Sequence, residues 1–164
     1  MDAEFEAWYA REFSRVAATL ALAVGDAGLA EEATAEAFAR ALVRWSQVSR
    51  ATSPTAWVYT VALNQVRSTL RRLRLERRWA LRQRIEPVAG PREPDSDLWL
   101  AVAALPERAR TAVALRYVAD LTEAEVAAAM GVARGTVAAT LHQARKRLAA
   151  ALGDPETTGE RAER

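Results

Sequence analysis

The chain has 164 residues with a formal net charge of +2, and 51% of its residues are hydrophobic. It contains no cysteine and one histidine, His142, which excludes disulfides and cysteine- or histidine-rich metal sites, so no cofactor is expected. The charges are sorted, with acidic residues prevailing over 1–40 and arginines over 67–86, which favours separate faces for a protein and for a polyanion.

Helical periodicity dominates the first half of the sequence, and strand patterns are nearly absent. A first helix is predicted over residues 4–24, and a second carries apolar residues at three- and four-residue spacing up to Trp45. Residues 46–52 are predicted to form a polar loop. Ser53 and Pro54 then open a third helix, as N-cap and first-turn residue, and this helix becomes rich in arginine toward its end.

The segment 87–96 is predicted to be a linker, because three prolines and a glycine cannot continue a helix. It separates a domain over residues 1–86 from a smaller domain over residues 97–153, followed by a flexible polar tail over residues 154–164. Both domains are predicted to be helical, so the expected fold class is all-α. The linker permits the two domains to be docked together or apart.

Short helices are predicted at the start of the second domain, over residues 97–104 and from Leu105-Pro106 to about Val118. Thr122 and Glu125 match a capping box, which predicts another short helix ending near Gly131. The last helix is predicted over residues 134–152, and a glycine follows it.

The two helices around Gly131 match the helix-turn-helix pattern, in which the second helix enters the major groove by its N-terminal end. Ala127 is small enough for a close approach of the helices. The apolar residues available to pack between them are Val126, Met130, Val137 and Leu141. The residues expected to reach DNA are Arg134, Gly135, Thr136, Thr140, His142, Arg145 and Lys146. A plain antiparallel helix pair with a glycine cap is the alternative interpretation.

These residues carry a resemblance to a known family. Leu105-Pro106-Glu107, Leu115-Arg116-Tyr117, Gly135-Thr136-Val137 and the run from Leu141 to Arg145 resemble region 4 of the extracytoplasmic-function sigma factors of RNA polymerase. The N-terminal half resembles region 2 of the same family, on the residues Gly25, Asp26, Glu32, Glu36, Phe38, Arg40, Trp57, Val58, Asn64, Arg67, Arg71 and Arg72. The order of region 2, short linker and region 4 is the layout of that family.

The resemblance implies a protein that is not an enzyme and that gives RNA polymerase its promoter specificity. Its implied partners are core RNA polymerase, promoter DNA and, as a further candidate, an anti-sigma factor. The residues it assigns to polymerase binding are Glu32, Glu36, Phe38, Arg40 and Trp45. The residues it assigns to the −10 element are Trp57, Asn64, Arg67, Arg71 and Arg72, while the helix-turn-helix residues are assigned to the −35 element. For Phe38, Trp45 and Trp57, packing in the core is the competing interpretation.

The sequence departs from the family where Ala138 and Thr140 replace basic residues of the recognition helix and Ala35 replaces a glutamine. Two alternatives therefore stay open. One is a helix-turn-helix regulator that acts without core polymerase, and the other is a polymerase- or sigma-interacting protein with reduced DNA binding.

The sequence also bears on location. No run of apolar residues approaches the roughly 20 that span a bilayer. The acidic start, Met1-Asp2-Ala3-Glu4, lacks the basic and apolar pattern of a secretory signal. A cytoplasmic protein without membrane insertion is expected.

Overall fold

The computed structural model of this chain describes residues 3–80 and 97–153, with side chains up to residue 73 and again from residue 97. Over these two ranges the chain is helical and contains no strand, which confirms the all-α prediction. The predicted linker over residues 87–96 and the predicted tail over residues 154–164 lie outside the described residues. None of the described helices is long and apolar enough to cross a membrane.

Three long helices build the first half. They are α1 (Ala3–Val24), α2 (Ala27–Val43) and α4 (Pro54–Ala80), with the one-turn helix α3 (Trp45–Val48) between the last two. Helix α2 begins where the side chain of Asp26 accepts a 2.9 Å hydrogen bond from the main-chain N–H of Leu29. Helix α4 begins as predicted, because the hydroxyl of Ser53 accepts from the main-chain N–H of Ala56 at 3.2 Å.

Aromatic side chains from α1, α2 and α3 form the centre of the first half. The ring of Trp8 lies 4.9 Å from the ring of Phe38 and 4.9 Å from that of Trp45, measured between centroids. Phe5 meets Trp45 edge to face at 5.3 Å. These separations lie in the range that aromatic pairs prefer, so the cluster fixes α1 against α2.

The prediction of a loop over residues 46–52 is wrong at its beginning, because Trp45–Val48 forms the helix α3. Trp45 and Val48 are both buried. A single helical turn places residues three apart on one side, so it brings both side chains into the core together. The polar residues between them, Ser46 and Gln47, stay exposed and gave the segment its loop-like composition.

The second half contains α5 (Asp97–Ala103), α6 (Glu107–Val113), α7 (Glu123–Met130) and α8 (Arg134–Leu152). The bounds of α8 agree with the prediction, and Gly153 ends it in the left-handed conformation. Helix α6 continues directly into a π-helical turn over Ala114–Val118, where the main-chain N–H of Ala119 donates to the carbonyl of Ala114 at 3.0 Å. This wider turn was not predicted.

The two halves are docked on each other. Helix α1 packs against α6 and the π-helical turn, α4 packs against α7, and α8 packs against α5, α6 and α7. The buried apolar residues of both halves belong to one continuous cluster. The docking therefore brings α7 against the arginine-rich α4.

Candidate nucleic-acid and protein interfaces

The helix-turn-helix predicted from the sequence is formed by α7 and α8. Thr122 caps α7, since its hydroxyl accepts from the N–H of Glu125 at 3.3 Å, and the Glu125 carboxylate accepts from the N–H of Thr122 at 2.8 Å. Gly131 ends α7 with φ +67°, a conformation that glycine adopts without strain. The four residues expected between the helices are all buried, and they are Val126, Met130, Val137 and Leu141.

The N-terminal half of α8 presents an outward face. Most of the residues predicted to reach DNA are exposed on α8. Arg134, Gly135, Thr136 and His142 lie in its N-terminal half, and Arg145 and Lys146 follow farther along. Thr140 is only half-buried, and its hydroxyl donates to the carbonyl of Thr136 at 2.7 Å. Arg134 lies 3.6 Å from the carboxylate of Glu123 on α7, but its side chain keeps 74% of its exposure. A guanidinium so exposed stays accessible to a ligand.

Arg116 and Tyr117, on the π-helical turn, flank α8 and were not predicted as part of the interface. The hydroxyl of Tyr117, on the π-helical turn, accepts a 3.1 Å hydrogen bond from Arg145 on α8. The guanidinium of Arg116 lies 5.6 Å from the centroid of the Tyr117 ring and 3.7 Å from the carboxylate of Asp120. Sequence spacing gave no sign of this contact, because it joins residues 28 apart through the unpredicted π-helical turn.

Helix α4 carries the residues predicted for the −10 element, and the structure divides them. Arg71 and Arg72 are exposed, as is Asn64, whereas Trp57 is half-buried and packs against the core. Asn64 and Arg71 lie on one side of α4, two turns apart, and Arg72 is next to Arg71 along the chain. That face combines cationic groups with an amide, which suits a polyanion.

Arg67 lies between Asn64 and Arg71 on this side of α4, but its guanidinium is engaged by α7. Its guanidinium donates to the carbonyl of Ala129 at 3.3 Å and to the carbonyl of Met130 at 2.9 Å, both at the end of α7. It also donates to the side-chain oxygen of Asn64 at 3.2 Å. Burial lowers the pKa of Arg67, with Glu107 raising it and Arg108 lowering it further. In the docked arrangement the guanidinium of Arg67 is directed at the end of α7, and a contact between Arg67 and DNA stays a prediction.

Hydrogen bonds in the opposite direction join the second half to the first. Arg110 on α6 donates to the carbonyls of Ala23 and Val24, the last two residues of α1, at 3.1 and 3.2 Å. The hydroxyl of Thr111 also donates to the carbonyl of Ala23, at 3.4 Å. Arg15 on α1 donates to the carbonyl of Ala119 at 3.2 Å, at the end of the π-helical turn. Arginines of each half thus donate hydrogen bonds to main-chain carbonyls at helix ends of the other half.

An apolar groove of about 370 Å³ lies between α1 and α2 on the surface of the first half. Its lining consists of Phe5, Glu6, Tyr9, Ala35, Phe38, Ala39 and Leu42. Tyr9 and Leu42 are 40% and 39% exposed, so large apolar side chains border the groove in contact with water. Ala35 and Ala39 are one helical turn apart and leave the floor open between them.

Some of the residues predicted to bind polymerase are exposed on α2, and others are buried. Glu32 and Arg40 are exposed, and Arg40 donates to the carboxylate of Glu36 at 2.7 Å. Phe38 and Trp45 are 1% and 8% exposed, so both side chains pack in the core, and a contact of either residue with polymerase stays a prediction. Phe38 still reaches the groove from below.

Two side chains of the groove were missed by sequence reasoning. Tyr9 and Leu42 were not among the predicted polymerase-binding residues, and Val43, next to Leu42 but outside the groove lining, is 86% exposed. Their signal was present, because Leu42 and Val43 follow the buried Ala41, where a single helix cannot bury three consecutive side chains. Within the described ranges, no group of three or more histidine, aspartate or glutamate residues is placed to hold a metal ion.

Comparisons with known proteins give matches to two family models and to solved structures. Residues 7–76 match the model of sigma-70 region 2, and residues 96–148 match that of sigma-70 region 4. A chain of the co-crystal structure of the sigma factor RpoE in complex with the anti-sigma factor NepR from Bartonella quintana is 21% identical, with a TM-score of 0.77. That alignment covers 93% of this chain and 99% of the other, and at this identity it shows likeness of fold.

A chain of the RsbN–BldN complex aligns at 27% identity over 90% of this chain and 91% of that one, with a TM-score of 0.36, which is too low to bear on the fold. No curated protein matches this sequence.

Proposed function

Because the chain belongs to the extracytoplasmic-function group of the sigma-70 family, we propose that it binds core RNA polymerase and directs the enzyme to specific promoters. Its action in this proposal is binding rather than catalysis. The observation that carries the proposal is that each matched region has its own exposed surface, the apolar groove in the first and the recognition helix α8 in the second.

The groove between α1 and α2 is the proposed polymerase surface. Covering its exposed apolar border with a partner helix contributes favourably to the free energy of binding, since apolar area removed from water contributes roughly 25 cal/mol per Å². The charged residues Glu32, Glu36 and Arg40 on the same helix as Leu42 form a polar rim that favours one orientation of the partner. An amphipathic helix of core polymerase fits this combination.

The outward face of α8 is the proposed reader of the −35 element. Arg134 and Thr136 stand at its N-terminal end, which is the end that meets base edges in helix-turn-helix proteins. Gly135 lies between them beside open space, since a Cβ placed there meets no other atom within 4 Å. Because glycine has no side chain, the duplex can approach the main chain closely at this position. Arg145 and Lys146, farther along, are suited to phosphates, which fix the position of the helix on the duplex.

The exposed arginine face of α4 is the proposed contact to the −10 region. Arg71 and Arg72 contribute affinity that depends on salt and carries no sequence information. Sequence selection then depends on groups near the start of α4, where Trp57 could stack on an unpaired base only if its half-buried ring moved outward. Asn64 is exposed and available for a hydrogen bond to a base or phosphate.

Two further elements belong to the same proposal. The similar RpoE structure contains the anti-sigma factor NepR, and we infer that an anti-sigma factor also binds this chain. Its place of action would be the cytoplasm, where core polymerase and the chromosome are found.

The experiment that tests the proposal is reconstituted transcription. Purified chain and core RNA polymerase are mixed with a library of fragments from the source genome, and transcript start sites are mapped. We expect defined start sites that core polymerase alone does not produce. The absence of such sites, together with duplex binding that needs no polymerase, would instead support a helix-turn-helix regulator.

A further inference from the structure

A row of exposed positions runs along the outward side of α8. Gly135, Ala139 and Gln143 are four residues apart, so they lie above one another on the helix, and all three are exposed. The buried residues of α8 lie on the opposite side, and they are Val137, Leu141 and Ala144. The row extends from the N-terminal end of α8 to its middle, which is the part of a recognition helix that enters the major groove.

The chemistry of this row favours one kind of base pair. From Gly135 to Gln143 the chain carries no arginine, lysine, aspartate or glutamate. In the major groove, arginine and lysine pair with O6 and N7 of guanine, and acidic side chains accept from N4 of cytosine, so the usual partners of a G·C pair are missing from this stretch. An amide such as that of Gln143 pairs with N6 and N7 of adenine, and a methyl group such as that of Ala139 contacts the thymine methyl.

The guanidinium groups at the two ends of this stretch are directed to elements beside α8. Arg134 lies 3.6 Å from the carboxylate of Glu123 on α7. Arg145 donates to the hydroxyl of Tyr117 on the π-helical turn at 3.1 Å. Both groups therefore stand at the margins of the row, where contacts to phosphates fix the position of the helix. Lys146 lies beyond the middle of α8, farther from the end that meets base edges.

The polar side chains within the stretch differ in what they can distinguish. The hydroxyl of Thr140 donates to the carbonyl of Thr136 at 2.7 Å, so its proton is used inside the helix. A single bond from Thr136 or His142 to N7 does not separate adenine from guanine, because both bases present that acceptor. The amide of Gln143 carries a donor and an acceptor on separate atoms, and within the described ranges its side chain makes no hydrogen bond.

We infer that Gln143, which was not among the residues expected to reach DNA, is a specificity-determining residue that reads an adenine. Ala139, one turn nearer the N-terminal end of α8, contacts the methyl group of a thymine in a neighbouring base pair. The inference rests on the proposed function, in which α8 lies in the major groove of the −35 element. It adds that the centre of this contact selects A·T pairs rather than G·C pairs.

The test begins with a selection from duplexes that carry a randomised segment. The full chain, alone and together with core RNA polymerase, is mixed with the library, and the bound sequences are read. We expect one position that is adenine with the unsubstituted chain and guanine with Gln143→Arg, because arginine pairs with O6 and N7 of guanine. Ala150→Arg adds the same charge to α8 at an exposed position two turns farther along, and it should leave every base preference unchanged.

Affinities for the selected duplex then measure each contact. Replacing the A·T pair by G·C should weaken binding of the unsubstituted chain by roughly 5- to 140-fold, the discrimination of one bidentate pair, and should leave binding of Gln143→Ala unchanged. An adenine analogue with carbon in place of N7 should likewise weaken only the unsubstituted chain. Deoxyuridine in place of the neighbouring thymidine removes the methyl group alone, so its effect should disappear in Ala139→Gly.

Two results would overturn the inference. One is a guanine or cytosine at the position that responds to Gln143→Arg in the unsubstituted chain, and the other is a set of base preferences that is the same in the unsubstituted chain, Gln143→Arg and Gln143→Ala. Circular dichroism establishes that each variant keeps its helices. Should Gln143→Arg not fold, Gln143→Ala and the base analogues decide the question, because they add no charge to α8.

A failure of the proposed function would look different. If neither the chain alone nor the chain with core polymerase enriched any sequence, promoter recognition would be contradicted, and the reading of adenine with it. A defined sequence motif without the adenine contact would overturn only the assignment of Gln143 and would leave promoter recognition standing.

Discussion

The guanidinium of Arg67 on α4 donates a 2.9 Å hydrogen bond to the carbonyl of Met130, the last residue of α7. The next residue, Gly131, turns the chain toward the recognition helix, and a Cβ built on it would meet Arg67 at 3.9 Å. The turn of the helix-turn-helix thus lies directly under an arginine of the first half. Substitutions at this turn act on the DNA-binding motif and on the contact between the halves together.

Gly131→Ala should lower the free energy of unfolding by about 1–2 kcal/mol. The reason is the left-handed main-chain conformation at φ +67°, which is unfavourable for a residue with a Cβ. The contact with Arg67 at 3.9 Å is ordinary van der Waals contact and adds no clash. Gly131→Asn should cost less, because asparagine tolerates this conformation better than alanine. Urea denaturation measures both, and equal stability of Gly131→Ala and the unsubstituted chain would contradict the argument.

The capping box of α7 should make stability depend on pH. Burial raises the pKa of Glu125, but hydrogen bonds from the main chain and hydroxyl of Thr122 and from the hydroxyl of Ser53 outweigh it, and the pKa lies below its usual 4.5. A lowered pKa in the folded state means that the carboxylate contributes stability above its unfolded pKa. This contribution is lost as pH falls through the folded pKa.

Glu125→Gln provides the comparison, because glutamine keeps the capping-box geometry without the charge. The unsubstituted chain should be the more stable of the two at pH 7, and the two should converge as the pH falls below 4. Glu123→Gln, on the same turn of α7, controls for the loss of a carboxylate in this region. Chemical denaturation at several pH values gives the measurement. A constant difference between pH 7 and pH 3 would argue against an ionised cap.

Local features of the second half were predictable from sequence, and contacts across the chain were not. The Thr122–Glu125 cap and the end at Gly131 follow from residues within a few positions of each other, and the structure confirms them. The bond from Arg67 to Met130 spans 63 positions, and its acceptor is a main-chain carbonyl. Every residue has such a carbonyl, so no sequence pattern marks the partner.

The same distinction applies to the first half. Trp45 and Phe38 were assigned to the polymerase surface because the family pattern marks them, yet both are buried among aromatic rings. Helical periodicity shows that a face is apolar but not what covers it. The groove becomes visible only when α1 is placed beside α2, since Tyr9 and Leu42 belong to different helices.

Leu42→Glu should weaken binding to core RNA polymerase by at least about tenfold. Leu42 borders the groove and is 39% exposed, so covering the rest of its side chain contributes about 0.6–1.2 kcal/mol, or roughly 3- to 7-fold in affinity. The glutamate adds the cost of burying a charge without a partner, which brings the expected loss to tenfold or more. Val43→Glu is the matched control, because Val43 is 86% exposed and does not line the groove. Fluorescence titration with core polymerase compares the two. Equal losses in both variants would remove the groove from the interface.

Gly135→Ala should separate the stability of α8 from its binding to DNA. A Cβ at this position meets nothing within 4 Å, and alanine favours a helix over glycine by up to about 1 kcal/mol. The free energy of unfolding should therefore rise slightly. Binding to the −35 element should weaken, because the added methyl group stands where the main chain approaches the duplex. A variant that is more stable and binds DNA unchanged would place Gly135 outside the contact.

Arg71→Ala combined with Arg72→Ala should weaken promoter binding and flatten its salt dependence. Each phosphate contact contributes about 0.9 to the slope of log affinity against log salt, so losing two contacts should reduce the slope by roughly 1.8. Arg11→Ala controls for net charge, since Arg11 is also exposed but lies on α1. Its slope should match that of the unsubstituted chain, because a charge distant from DNA releases no counterion from it. Filter binding at a series of salt concentrations measures the slopes. If the double variant kept the full slope while affinity fell, Arg71 and Arg72 would act through the fold of α4 rather than on phosphates.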